Sequence, residues 1–232
     1  MLKLNELEII TQTQDIYDSF NNFILSSDTK VFGKLLARAL LFNSVKNIPG
    51  DILEFGVFKG TGMMTFLKLK KYLVPNSGKK VIGFDFFDTD SLLSSLSDQD
   101  KEAMSTLFKG RGFSHEESYV KFLEERIKEA GFLEHEYDFV KGDATITSKQ
   151  YFKERPGLKI SLLYLDMDLE EPTYEVLQAA WDRVSSGGLV VFDEYAFHKW
   201  SESKGVDRFF KDKEVQIKSL NFIAPSAYVV KK

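Results

Sequence analysis

Two nearly unbroken apolar runs, ISLLYL at 160–165 and GLVVF at 188–192, set the terms on which this chain can fold. A run apolar at almost every position has no face to give to water, so it belongs in a strand covered on both sides. Between the runs, PTYEVLQAAWDRVSSGG repeats apolar residues at helical spacing, with Pro172 in its first turn and glycines beyond its end. A buried strand, a helix and a second buried strand make a βαβ unit, which demands a parallel sheet layered by helices. Both runs also end in carboxylates: Asp166 and Asp168 after the first, Asp193 and Glu194 after the second. Burying such groups is costly unless a partner compensates them.

The same alternation recurs upstream. DILEFGV (51–57) and KKVIGFDFFD (79–88) read as strands flanking a helix in MMTFLKLKKYL, and YDFVKGDA (137–144) reads as a third strand before a short helix. Beyond LVVFDEY, ESKGVDRFFKD is helical, and VQIKSL with SAYVVKK forms a closing antiparallel pair. Residues 12–27 and 31–46 predict two amphipathic helices, a preface over 1–47. From 88 to 115 the rhythm lapses into Ser, Asp and Gly, which predicts an insertion with a short helix at 99–108, placed as a lid. No repeat or internal boundary interrupts the pattern, so one domain over 1–232 is expected.

Thirty-one basic against 35 acidic residues leave a net charge of −4, which offers no field for a polyanion, and nucleic acid is not an expected partner. Cysteine is absent, excluding disulfides and thiolate chemistry. No window approaches the length of apolar sequence that a membrane span needs. The first thirty residues mix polar and apolar positions too evenly for a signal peptide. A cytoplasmic location is the expectation.

Gly56, Gly60 and Gly62 follow the first strand, where glycines let a turn tighten and a ligand approach the backbone. Such a turn serves a nicotinamide dinucleotide as well, and Tyr195 with Lys199 has the spacing of a dehydrogenase proton-transfer pair. Glu54 favours another ligand. A carboxylate at that strand end repels a diphosphate but suits S-adenosylmethionine, which carries a sulfonium, an ammonium and no phosphate. Asp85, ending the second strand, is placed to receive ribose hydroxyls. Val57, Phe58 and Thr61 in the first loop, and Phe86 beside Asp85, are expected to line the same cofactor. Asp143 and Ala144 are expected to meet the adenine edge, unless Asp143 only caps the next helix. Asp166, Asp193 and Glu194 form a set of hard oxygen donors suited to Mg²⁺. Glu170 and Glu171 read as helix-entry charges. His198 and His115 are loop groups within reach of a substrate, His198 as an alternative base.

The segments IPGDILEFGVFKGTG (48–62), VIGFDFFD (81–88), LDMDLEEPTYEVL (165–177) and GGLVVFDEY (187–195) resemble the macrocin O-methyltransferase family. That resemblance implies a class I methyltransferase fold: a Rossmann-like α/β three-layer sandwich with a mainly parallel seven-stranded sheet and an antiparallel closing strand. It also implies S-adenosylmethionine-dependent methyl transfer to a sugar hydroxyl with a divalent ion. Asp166 then corresponds to a metal ligand and general base, and Asp193 and Glu194 to the remaining ligands, Glu194 departing from the family's second Asp. Glu54, Gly56 and Gly60 match the first cofactor loop, and Asp85 the ribose acid. FFDT at 86–89 is looser than the family's segment, and 90–115 follows no pattern that carries over. The acceptor is a sugar on a small molecule or on a nucleotide or lipid carrier. A nicotinamide oxidoreductase, a binding protein without turnover, and a homodimeric assembly stay open at this stage.

Overall fold

The protein is described by a computed structural model over residues 13–112, 114 and 118–232. Its strands are β1 (Asp51–Phe55), β2 (Val81–Asp85), β3 (Tyr137–Lys141), β4 (Ile160–Leu165), β5 (Val184–Phe192), β6 (Lys218–Ser219) and β7 (Ala227–Val230). They form one sheet in the order β3-β2-β1-β4-β5-β7-β6. Strands β1 to β5 pair in parallel, and β7 runs antiparallel to both β5 and β6. The expected Rossmann-like three-layer sandwich is therefore present. The chain order reverses between β1 and β4, and the crevice beyond their C-terminal ends is where ligands collect in such sheets.

The helices are α1 (Thr13–Leu25), α2 (Thr29–Val45), α3 (Thr61–Leu73), α4 (Thr89–Ser95), α5 (Asp98–Arg111), α6 (Tyr119–Glu129), α7 (Ala144–Glu154), α8 (Glu170–Ala180) and α9 (Glu202–Phe210). Strand parity distributes them. Leu53, Phe55, Leu163, Leu165, Val190 and Phe192 point to one face and pack with α7, α8 and α9. Ile52, Leu162, Tyr164, Leu189 and Val191 point to the other and pack with α2, α3 and α6. Among the described residues no helix is long and apolar enough to cross a membrane.

Two expectations about elements change. The described part of the 88–115 stretch carries two helices rather than one short one, because its polar residues are caps: Asp88 accepts from the N–H groups of Asp90 and Ser91, Ser97 accepts from Asp100 N–H, and Gly112 ends α5 in the left-handed region. Strand β5 begins at Val184, before the apolar run, so Ser185 to Gly188 are already within it. The α4–α5 pair lies over the C-terminal edge of the sheet. Met104 and Phe108 pack with Leu169, and Phe58 and Trp200 flank that cluster, so the insertion touches the loops after β1, β4 and β5.

Candidate active site

Backbone pairing carries each strand one residue past its formal end and fixes the direction of the side chains there. Gly56 N–H donates to the Phe84 carbonyl, Asp166 N–H to that of Phe55, and Asp193 N–H to that of Leu165. Asp166 shares the parity of Leu162 and Tyr164, Asp193 that of Val191, and Glu54 that of Ile52. All three acids therefore face α2, not α8 or α9.

Helix α2 meets them with cations one turn apart. Lys30 Nζ lies 3.6 Å from Glu194 Oε1. Lys34 Nζ lies 3.1 Å from Asp166 Oδ2 and 2.8 Å from Asp193 Oδ2. Arg38 Nη2 lies 3.3 Å from Glu54 Oε1, with its guanidinium 5.0 Å from the centre of the Tyr164 ring. Positions 30, 34 and 38 share one helix face, so the side of α2 turned to the sheet edge is a strip of positive charge. Burial opposes the charge on Lys34, but Asp166 and Asp193 outweigh it and hold its pKa above the ordinary lysine value.

This strip corrects the expected divalent ion. Among the described residues no group of three or more His, Cys, Asp or Glu side chains is arranged to hold a metal. The gap between Asp166 and Asp193 is taken by an ammonium, and the charge that Mg²⁺ at Asp166, Asp193 and Glu194 was expected to supply comes from the chain itself. Burial works against charge on the remaining acids. Burial, reinforced by neighbouring carboxylates, pushes Asp168 and Glu202 well above the usual carboxylate range. Burial also raises Asp193, which accepts the Tyr164 hydroxyl at 2.6 Å. Glu202 Oε1 accepts the Glu194 N–H at 3.1 Å, and the Asp168 carbonyl receives the N–H groups of Ser201 and Glu202, tying the β4 and β5 loops together.

The cofactor loop sits beside this row. Gly56 has φ +89°, and a Cβ there would stand 2.0 Å from the Asp166 carbonyl oxygen, so the turn after β1 and the acid after β4 are in backbone contact. A Cβ on Gly62 would fall 1.8 Å from Glu54 Oε1, which places α3 directly over that carboxyl. Val57 is buried, Phe58 and Thr61 belong to the turn and the start of α3, and Gly60 caps α3 in the left-handed region. Asp85 Oδ2 accepts Phe58 N–H at 2.9 Å and Oδ1 accepts Phe87 N–H at 3.1 Å, which holds this acid against the first loop with Phe86 beside it. Asp143 is the N-cap of α7, accepting Thr145 N–H at 2.8 Å, and Ala144 begins that helix.

Glu54 tests the fit to S-adenosylmethionine. Its carboxyl is buried, and burial outweighs Arg38 to push its pKa to about 7. Oε2 has no hydrogen-bond partner among the described residues. An orphaned buried acceptor calls for a donor, and an ammonium answers where a diphosphate would be repelled. The residues fit the cofactor.

The other expected groups face solvent or have partners of their own. His198 is exposed with its ring 5.0 Å from that of Phe197, and His115 falls outside the described residues. Tyr195 donates to Asp207 Oδ1 at 2.8 Å, and burial, with Asp207 adding, raises its pKa to about 12, while Lys199 is exposed. A tyrosine so held is a poor proton-transfer group, and the dehydrogenase alternative loses its pair. Glu170 and Glu171 stand in the first turn of α8, both facing Arg208. Lys30, Lys34 and Arg38 were the members of this cluster not foreseen; their four-residue spacing on an otherwise apolar helix was the available signal.

Sheet order, a glycine turn abutting an acid and a buried carboxyl with one unpartnered oxygen fit a Rossmann-like fold that holds S-adenosylmethionine, and the family match makes the chain an S-adenosylmethionine-dependent O-methyltransferase. The chain belongs to the macrocin-O-methyltransferase (TylF) family, whose model matches residues 35–227. No curated protein matches it by sequence. Among solved structures it is similar to CalS11, a TDP-rhamnose 3′-O-methyltransferase of calicheamicin biosynthesis: identity is 26% over 94% of this chain and 86% of that one, with a TM-score of 0.74. The O-methyltransferase NovP shares the fold at 18% identity, covering 86% of this chain and 80% of NovP, with a TM-score of 0.69. So does TomG of Streptomyces achromogenes, solved with S-adenosylmethionine, at 15% identity over 96% and 100% of the two chains and a TM-score of 0.54.

Proposed function

We propose that this protein methylates a hydroxyl of a sugar, carried on a nucleotide or already attached to a small molecule. The observation that carries the reading is the contact between Gly56 and the Asp166 backbone, because it sets the methyl-donor turn beside an open acid. Asp166 retains 20% side-chain exposure, whereas Asp193 has none. Family membership and the similarity to CalS11, which acts on TDP-rhamnose, support a sugar acceptor.

When bound, S-adenosylmethionine supplies an electrophilic methyl group on a sulfonium. Glu54 and Arg38 would hold its amino-acid end and Asp85 its ribose, with Val57, Phe58, Gly60 and Thr61 of the first loop and Phe86, Asp143 and Ala144 as the other residues that would contact it. Asp166 takes the proton from the acceptor hydroxyl as its oxygen becomes nucleophilic, a role worth about 10²–10⁴ in rate for a well-placed base. The α4–α5 pair excludes water by closing on Phe58, Leu169 and Trp200. His198, on the exposed rim, contacts the acceptor rather than the reacting atoms. We read the chain as one methyltransferase domain with α1 and α2 as its preface and α4–α5 as its lid.

The test is a panel of nucleotide-activated deoxysugars and macrolide glycosides incubated with methyl-labelled S-adenosylmethionine. Labelled methyl ether on a sugar, reduced about 100-fold or more in Asp166→Asn with cofactor affinity retained, is the expected result. Transfer to phenols or amines and to no sugar refutes the acceptor class.

A further inference from the structure

Lys34 stands one residue before the span matched by the family model, so family membership assigns it nothing. Its geometry singles it out nonetheless. Arg38 is engaged by Glu54 and the Tyr164 ring, and Lys30 approaches Glu194 alone. Only Lys34, among these three, reaches two acids at once, at 3.1 Å and 2.8 Å. An ammonium has three N–H donors; one is donated to Asp166 Oδ2, while Asp193 Oδ2 is held by charge as an ion pair. The Lys34 side chain keeps 25% exposure and that of Asp166 20%, so neither member of the pair is sealed from solvent.

The two acids differ in what they can do. Asp193 is fully enclosed and held from its other side by the Tyr164 hydroxyl at 2.6 Å, so it cannot meet an acceptor and serves as an anchor. Asp166 is the open member, and its Oδ2 is pinned by the lysine. Two carboxylates this close repel each other, and a cation between them offsets that repulsion.

We propose that Lys34 is the fixed cation of the acceptor subsite: paired by charge with Asp193, it orients Asp166 and offers a remaining N–H to the acceptor oxygen. The proposal rests on reading this cleft as a sugar-hydroxyl site. As the acceptor O–H proton passes to the Asp166 carboxylate, negative charge develops on the acceptor oxygen, and the ammonium stabilises it without giving up a proton. A preorganised donor at a developing oxyanion contributes about 10²–10³ in rate. Lys34 is then a positioning residue for Asp166 as well as a contact to the acceptor.

The experiment has two arms on the full chain. In the first, urea unfolding midpoints are measured for wild type, Lys34→Met, Asp193→Asn and the double variant, with no acceptor present. Lys34→Met should lower the midpoint substantially in the wild-type background and much less in the Asp193→Asn background; additive losses overturn the bridge. In the second, kcat and KM are measured with an acceptor that wild type methylates. Lys34→Met should lose about 100-fold in kcat with S-adenosylmethionine affinity unchanged by calorimetry, and propylammonium should restore about tenfold or more to Lys34→Ala. A purely structural lysine gives no such rescue. A Lys34→Met enzyme with wild-type kcat overturns the proposal. If wild type methylates no sugar at all, the acceptor reading fails and takes the oxyanion role with it, while the unfolding cycle still decides whether Lys34 bridges the acids.

Discussion

The buried carboxyl of Glu54 predicts how cofactor affinity varies with pH. Enclosure lifts its pKa from 4.5 to about 7, despite Arg38 beside it. If the cofactor's ammonium binds the ionised form, apparent affinity scales with the ionised fraction. That fraction is about one half at pH 7 and about 3% at pH 5.5, so Kd for S-adenosylmethionine should weaken about fifteenfold between them. Above about pH 7.7 the cofactor's own α-amino group loses its charge, which confines the comparison to the acidic side. Folding shows the complementary slope. A carboxyl with a raised folded pKa favours the native state at low pH, and that advantage is lost as pH rises from 4.5 through 7, by roughly 3 kcal/mol at 1.36 kcal/mol per unit. Calorimetric titrations at pH 5.5, 6.25 and 7 on wild type and Glu54→Gln test this. Wild type should show the slope, and Glu54→Gln should bind more weakly with none. A flat wild-type Kd, or an equal slope in both proteins, would refute the reasoning.

Gly56→Ala should cost about 3 kcal/mol or more and abolish cofactor binding, because its Cβ meets the Asp166 carbonyl at 2.0 Å and φ is +89°; denaturant unfolding and calorimetry check both. Tyr164→Phe removes the 2.6 Å donor to the enclosed Asp193 and should cost about 1–3 kcal/mol, read from the urea midpoint. Phe108→Ala empties the cluster joining α5 to Leu169 and Phe58, so limited proteolysis should cut the α4–α5 pair faster while the sheet core keeps its protection.

The sheet was readable because a strand covered on both faces leaves an unbroken apolar record, and ISLLYL and LVVF are such records. The acids were readable for the same reason, standing out at the ends of those runs. What they bind was not. Whether Asp166 and Asp193 gather a metal or a lysine depends on how α2 docks, and a helix shows its period in sequence but not its partner. Lys34 reads as an ordinary surface charge until strand parity turns both acids toward it. The 88–115 stretch misled in another way: the Ser and Asp that suggested a loop are side chains that start helices, at Asp88 and Ser97. Composition does not separate a cap from a turn.

Lys34 and Asp166 are 132 residues apart along the chain. Helix α2 leaves the ribosome long before β4 and β5 exist, so its charged face must stay hydrated until their acids arrive. Closing so long a loop carries an entropic cost that only the finished sheet can offset. The charged seam should accordingly form late on the refolding pathway, with low φ-values at Lys34 and Arg38. Its interactions would then act chiefly on the unfolding rate, making the α2 strip a determinant of how long the folded enzyme persists more than of how fast it is reached.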